Sequence, residues 1–130
     1  MEHNIRTVRE QEFVRITHII RKTVQNRNIK DGIAVIFVPH TTAGVTINES
    51  SDSNVIIDIL NSLNKNFPVR GDYFHLEGNS HAHIKASLIG PSVSIIIEKG
   101  RLKLGTWQEV YFCEFDGPRN RKIFIKLIEE

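Results

Sequence analysis

The chain has 130 residues, 40% of them hydrophobic and 25% charged, with a formal net charge of +2 at pH 7. That length suits one domain with a core of its own, and that balance excludes disordered and fibrous classes. A sequence pI of about 8.8 is too mildly basic to mark a dedicated nucleic-acid binder, and the longest apolar run, Ile33 to Pro39, falls far short of the roughly 20 residues that a bilayer requires.

Phe13 to Ile16 alternates as a strand does, and Thr17 stands as an N-cap before a helix in which Ile20, Val24 and Arg27 share a face. The helix is expected to stop near Lys30-Asp31-Gly32, a turn signal. Ile33 to Pro39 is short, apolar and rich in β-branched residues, which predicts a strand buried on both faces, with His40 just past its end. Val45 to Glu49 alternates again, and Ser51-Asp52-Ser53 offers caps for a helix whose Val55, Ile56, Ile59, Leu60 and Leu63 form one apolar stripe. A polar stretch follows Phe67-Pro68 until Asn79-Ser80, which can cap a short third helix closed by Gly90 and Pro91. Val93, Ile95 and Ile97 then alternate, Lys99-Gly100 makes a hairpin turn, and Leu102 and Leu104 resume the pattern. Thr106 to Phe115 is a long strand, Asp116-Gly117-Pro118 turns the chain, and Ile123, Ile125 and Leu127 alternate to the end. Together these elements predict a single compact α+β domain over residues 1–130, largely antiparallel sheet packed with two main helices and a short third.

Chemistry concentrates around histidine. His75, His81 and His83 crowd one polar stretch, HLEGNSHAH, and His40 opens another, PHTTAGVTINE; imidazole near neutral pH ligates metals, shuttles protons or donates to anions. If the stretch from Ser80 is helical, His81 and His83 point about 160° apart and only one can face a site. His83 is that one, because Ala86, Ser87 and Gly90 on its face leave room. In an extended segment both rings would share a side, and His81 would return as a partner. Three histidines from separated segments, His40, His75 and His83, would suit an open catalytic metal site with a divalent cation, zinc or magnesium. The alternative is that each is a hydrogen-bonded loop or cap residue.

Glu49 and Asn48 follow one strand, and Glu114 and Asp116 flank another strand end, where period-two side chains can converge on a pocket. Against this, Asp116 can simply shape its turn and Glu114 can be a solvated sheet residue. Arg119, Arg121 and Lys122 either hold phosphate or form a solvated basic tip. Trp107 either stacks on a ring or joins the core. The single Cys113 has no activating neighbour in sequence and no partner for an intrachain disulfide, and Met1 is followed by Glu-His-Asn rather than a basic and apolar leader, so the expected location is the cytoplasm. Neither a Walker-type phosphate loop nor a Rossmann glycine fingerprint is present.

Three long motifs in order, PHTTAGVTINES, HLEGNSHAHIKASLIGPSV and GRLKLGTWQEVYFCEFDGPRNRK, strongly resemble the YjbQ-like family, described as secondary thiamine-phosphate synthases, over nearly the whole chain. The resemblance implies a compact α+β fold, a homotrimer and a pocket assembled from these motifs between subunits. It implies His40, His75 and His83 in that pocket, with Asn48, Glu49, Trp107, Gln108, Glu114, Asp116 and Arg119 nearby. The implied activity joins a pyrimidine methyl pyrophosphate to a thiazole phosphate, giving thiamine phosphate and pyrophosphate. In that reading His40, Glu49, His83, Glu114 and Asp116 are catalytic, Asn48, Trp107, Gln108 and Arg119 bind substrate, and a cation held by the histidines helps stabilise the leaving group. Two other functions compete: metal-dependent hydrolysis of a phosphorylated small molecule, and non-catalytic retention of a metal or phosphorylated ligand by a trimer. Nucleic acid is not an expected partner, nor is a membrane.

Overall fold

A computed structural model describes all residues, Met1–Glu130. In chain order the elements are β1 (Glu2–Arg6), β2 (Glu12–Arg15), α1 (Thr17–Asn26), β3 (Gly32–Phe37), β4 (Ala43–Glu49), α2 (Ser53–Asn66), α3 (Ser80–Ile89), β5 (Ser92–Glu98), β6 (Arg101–Leu102), β7 (Gln108–Glu114) and β8 (Asn120–Glu129). The strands form two sheets, β1-β8-β3-β5-β6 and β2-β7-β4, and every pairing is antiparallel. This is the α+β domain expected from the alternation pattern, with three helices of which α3 is as long as α1.

The two sheets pack through their inner faces. Ala34, Ile36, Ile95, Ile97, Ile123 and Ile125 of the larger sheet meet Val45, Val110 and Phe112 of the smaller one, with Ile16, Ile20 and Val24 around α1 closing the core. The opposite face of the smaller sheet carries Tyr111 and Cys113, which with Phe115 lie beneath Ala82 and Ala86 of α3 and Ile56, Leu60 and Leu63 of α2. The end of α3 lies tight on β4: a Cβ on Gly44 would stand 2.7 Å from the Gly90 carbonyl oxygen.

Several local expectations change for physical reasons. Ile16 rather than Thr17 occupies the N-cap of α1, because Thr17 Oγ1 accepts the Val110 N–H at 2.8 Å and extends the β2–β7 ladder. That helix ends at Asn26, well before Gly32, as Asn28 adopts a left-handed φ of 52° that asparagine tolerates. β1 carries too little alternation to be read from sequence; only its Ile5 is buried, and pairing along β8 makes it a strand. The apolar stripe of α2 is only partly buried: Val55, Ile56, Ile59, Leu60 and Leu63 all keep some exposure. β3 is not buried on both faces: Ala34 and Ile36 point inward, while Ile33 and Phe37 are exposed. Their neighbours across the ladder are Ile96, Ile128 and Phe124, also exposed, so the outer face of the larger sheet is an open apolar surface. No helix is long and apolar enough to cross a membrane.

Candidate functional site

At one end of the molecule two of the chain's crossovers between the sheets lie side by side. Residues 38–42 carry the chain from β3 to β4, and residues 115–119 carry it from β7 to β8. These crossovers are stitched together by the Phe115 N–H, which donates to the Thr42 carbonyl at 3.2 Å, and by Arg121 Nη2, which donates to Thr42 Oγ1 at 2.8 Å. Beside them stand the first turns of α3 and the loop before it, and the three segments enclose a polar cleft of about 450 Å³.

His40, His75 and His83 all line this cleft, together with Arg119, Arg121, Glu77 and Asp116. The rings of His75 and His83 meet edge-on, with centroids 5.4 Å apart. His83 reaches the cleft because α3 is helical, and the same geometry turns His81 into the interior, where it is 2% exposed. His40 Nε2 accepts the Lys122 N–H at 3.1 Å. Burial first, and the nearby Arg121 guanidinium second, hold the His40 pKa below the ordinary histidine value, so the ring is neutral and presents Nδ1–H as a donor.

Glu114 is fully buried rather than solvated. Its Oε1 accepts from Thr7 Oγ1 at 2.7 Å and Arg121 Nε at 2.8 Å; its Oε2 accepts from Arg121 Nη2 and from the Asp116 N–H at 3.1 Å. Burial alone would raise its pKa, but these donors outweigh burial and hold the carboxyl below the ordinary carboxylate range. With both oxygens occupied, Glu114 has no lone pair to spare for substrate and acts as a positioning residue that fixes the Arg121 fork. Asp116 plays the same part for Arg119: its Oδ2 accepts from Arg119 Nη2 at 3.0 Å and its carbonyl from Arg119 Nε at 2.7 Å. Asn79 Nδ2 also donates to Asp116 Oδ2, at 3.0 Å, and ties the start of α3 to the arginine turn.

The remaining sequence candidates lie elsewhere. Asn48 and Glu49 pair with Glu109 and Gln108 at the far end of the β4–β7 ladder, six residues or about 20 Å from the cleft end. There Tyr111 Oη donates to the Glu49 carbonyl at 3.1 Å, Gln108 Oε1 accepts the Gly105 N–H at 2.8 Å, and Trp107 is 60% exposed rather than in the core. The chain therefore holds two separate groups of candidate residues. Thr41 and Thr42 join the cleft although the sequence reading gave them no place in the site, and Arg121, read there as either a phosphate holder or part of a solvated tip, joins it as well. Parity was the available signal: Arg121 shares its side of β8 with Ile123 and Ile125 and so points inward.

The cleft sets imidazole and guanidinium N–H donors beside the carboxylates of Glu77 and Asp116. His40 spends its acceptor nitrogen on the Lys122 N–H, and no three His, Cys, Asp or Glu side chains stand close enough to enclose a cation. Thiolate chemistry is absent too, since Cys113 is buried and burial pushes its thiol well above the ordinary value.

The family model described as "UPF0047 protein YjbQ-like" matches residues 1–130. The chain belongs to the YjbQ-like UPF0047 family. Among its relatives, a UPF0047 protein of Methanocaldococcus jannaschii is 51% identical over 127 residues, covering 98% of this chain and 92% of that one. The UPF0047 protein YugU of Bacillus subtilis is 46% identical, covering 95% of each. A solved YjbQ/UPF0047 structure from Clostridium acetobutylicum superposes with a TM-score of 0.97 at 58% identity, covering 98% of this chain and 99% of the other. A YbjQ-like protein of unknown function from Sulfolobus solfataricus gives 0.95 at 32% identity, covering 100% and 96%. The antiparallel α+β fold is thus common to the family across wide sequence divergence.

Behind α3 of this YjbQ-like domain lies a second polar cluster. Lys85 is fully buried, its Nζ donating to Asn64 Oδ1 at 2.5 Å and lying 2.8 Å from His81 Nδ1. Burial lowers the Lys85 pKa from 10.5 to about 8. Between these values the unfolded chain binds the proton and the folded chain does not, so stability rises with pH over that interval. Urea unfolding at pH 7.5, 9 and 10 is expected to show this rise, up to about 3 kcal/mol, and Lys85→Met is expected to remove it. An equal slope in both proteins would contradict the assignment.

Proposed function

We propose that the cleft binds a phosphorylated small molecule and acts as a transferase of the thiamine-phosphate synthase type, joining a pyrimidine methyl pyrophosphate to a thiazole phosphate. The observation that carries this reading is the convergence of Arg119, Arg121, His40, His75 and His83 on one cleft, each arginine held by its own carboxylate. In the reaction the methylene C–O bond breaks and pyrophosphate leaves with the electron pair. The thiazole nitrogen lone pair forms the new C–N bond, and no enzyme nucleophile is consumed. The barrier lies in charge developing on pyrophosphate, and fixed guanidinium and imidazole N–H donors stabilise that charge without reorganising. Glu114 and Thr42 take Nε and Nη2 of Arg121, which holds the guanidinium in place and leaves Nη1 as its donor for a phosphate oxygen.

We also propose a homotrimer in which the Asn48, Glu49, Trp107 and Gln108 group of one subunit reaches the cleft of the next, where Trp107 stacks on a heterocycle. The exposed Ile33, Phe37, Ile96, Phe124 and Ile128 surface supports this assembly, as does the separation of the two residue groups within one chain. A divalent cation, zinc or magnesium, belongs to the proposal only where a second copy adds a ligand to His75 and His83. A cytoplasmic location accompanies this reading.

Purified full-length protein, supplied with the two thiamine precursors, is expected to release pyrophosphate and form thiamine phosphate in equal amounts. Light scattering is expected to report three times the 14.9 kDa chain, and elemental analysis to give the metal content per chain. Release of inorganic phosphate from phosphomonoesters, with no thiamine phosphate formed, would favour a hydrolase instead. Tight ligand retention without turnover would favour a binding protein.

A further inference from the structure

The cleft does not end at its imidazoles. A second recess of about 340 Å³ opens on the other side of His40 and His83, sharing those two residues and Thr41 with the phosphate-facing cleft. Its character is opposite. Ala43, Ala86, Ser87 and Pro91 complete its lining, and no Asp, Glu, Lys or Arg reaches it. Ala43 and Ala86 are 1% and 7% exposed, so they offer a fixed floor of methyl groups. Ser87 Oγ donates to the His83 carbonyl at 2.9 Å, so its hydroxyl proton is spent on α3. Away from the shared histidines and Thr41, this half offers no charged side chain to an anion.

We propose that this recess is the subsite for the uncharged organic body of the ligand, of about the size of one small ring, while the attached phosphoryl or pyrophosphoryl group occupies the cleft. The inference rests on the reading of that cleft as a phosphate site. The two halves meet at His40 and His83, so the bond between phosphate and body lies under their ring N–H groups. That position suits donors that stabilise a departing phosphate oxygen. Ala86 and Ser87 then determine which bodies fit, because a larger side chain at either position fills the recess.

Calorimetric or NMR titration with two probes, inorganic phosphate and phenyl phosphate, tests this on the full-length protein. Wild type is expected to bind phenyl phosphate about tenfold more tightly than inorganic phosphate, the advantage of burying one ring. Ser87→Trp, at an exposed helix position, is expected to bring that ratio to about one, with inorganic phosphate reporting that the cleft is intact. Ala86→Val is expected to reduce the ratio as well. Equal affinities for the two probes in wild type, or a tenfold ratio that survives Ser87→Trp, would overturn the subsite and leave the phosphate cleft standing. Failure of both probes to bind would overturn both.

Discussion

Glu114→Ala is expected to cost about 3–5 kcal/mol of folding stability, because it strands a buried guanidinium. Arg121 is only 6% exposed, and Glu114 receives both its Nε and one terminal nitrogen. Truncation also leaves the Thr7 hydroxyl and the Asp116 N–H without their acceptor. Denaturant unfolding reads the loss directly. Glu114→Leu combined with Arg121→Met is expected to cost less than Glu114→Ala alone, since removing both charges leaves no unpaired ion in the interior, yet the double variant loses phosphate binding. A cost below about 1 kcal/mol for Glu114→Ala would show that Arg121 finds another partner. The same pair sets a pH limit. The folded-state pKa of Glu114 lies below its ordinary value, so its contribution is complete above the unfolded carboxylate pKa and is lost as pH falls through the folded one.

The second large effect is kinetic. Arg119→Ala and His83→Ala are each expected to lower kcat for pyrophosphate release by about 10²–10³, the usual consequence of removing one preorganised donor from a developing oxyanion. Both residues face solvent in part, and neither belongs to the hydrophobic clusters. Unfolding midpoints should therefore move little while turnover falls. Arg119→Lys is expected to recover only part of the rate, because an ammonium keeps the charge and loses the fork that Asp116 aligns. Turnover unchanged by Arg119→Ala and by His83→Ala would reject the transferase reading.

Much of the fold was legible because alternation and capping are local signals. The period-two runs of β5 and β8 and the Lys99-Gly100 turn need no distant partner to be recognised. Helical spacing from Ser80 likewise separates His83 from His81 without knowledge of the sheet. β1 escaped notice for the converse reason: an edge strand with one buried apolar residue is specified by β8, not by itself.

The candidate site was legible in part. His40, His75, His83 and Arg119 stand together because two sheet crossovers and a helix start meet at one end of the molecule. Asn48, Glu49, Trp107 and Gln108 lie at the other end, although short sequence motifs carry them beside cleft residues. In a strand, six residues of separation span about 20 Å, so closeness in a motif becomes distance in the fold.

By itself the sequence determined which residues alternate, which cap and which histidine a helix turns outward, since these depend on backbone geometry within a few residues. Only the tertiary structure decided that Glu114 locks Arg121 instead of meeting solvent. It also decided that β3 buries one face and leaves the other bare, and that the histidine cleft adjoins an uncharged recess. Burial and charge pairing are fixed by segments more than 70 residues apart, such as Thr42 with Arg121 and Thr7 with Glu114. No local pattern encodes such partners.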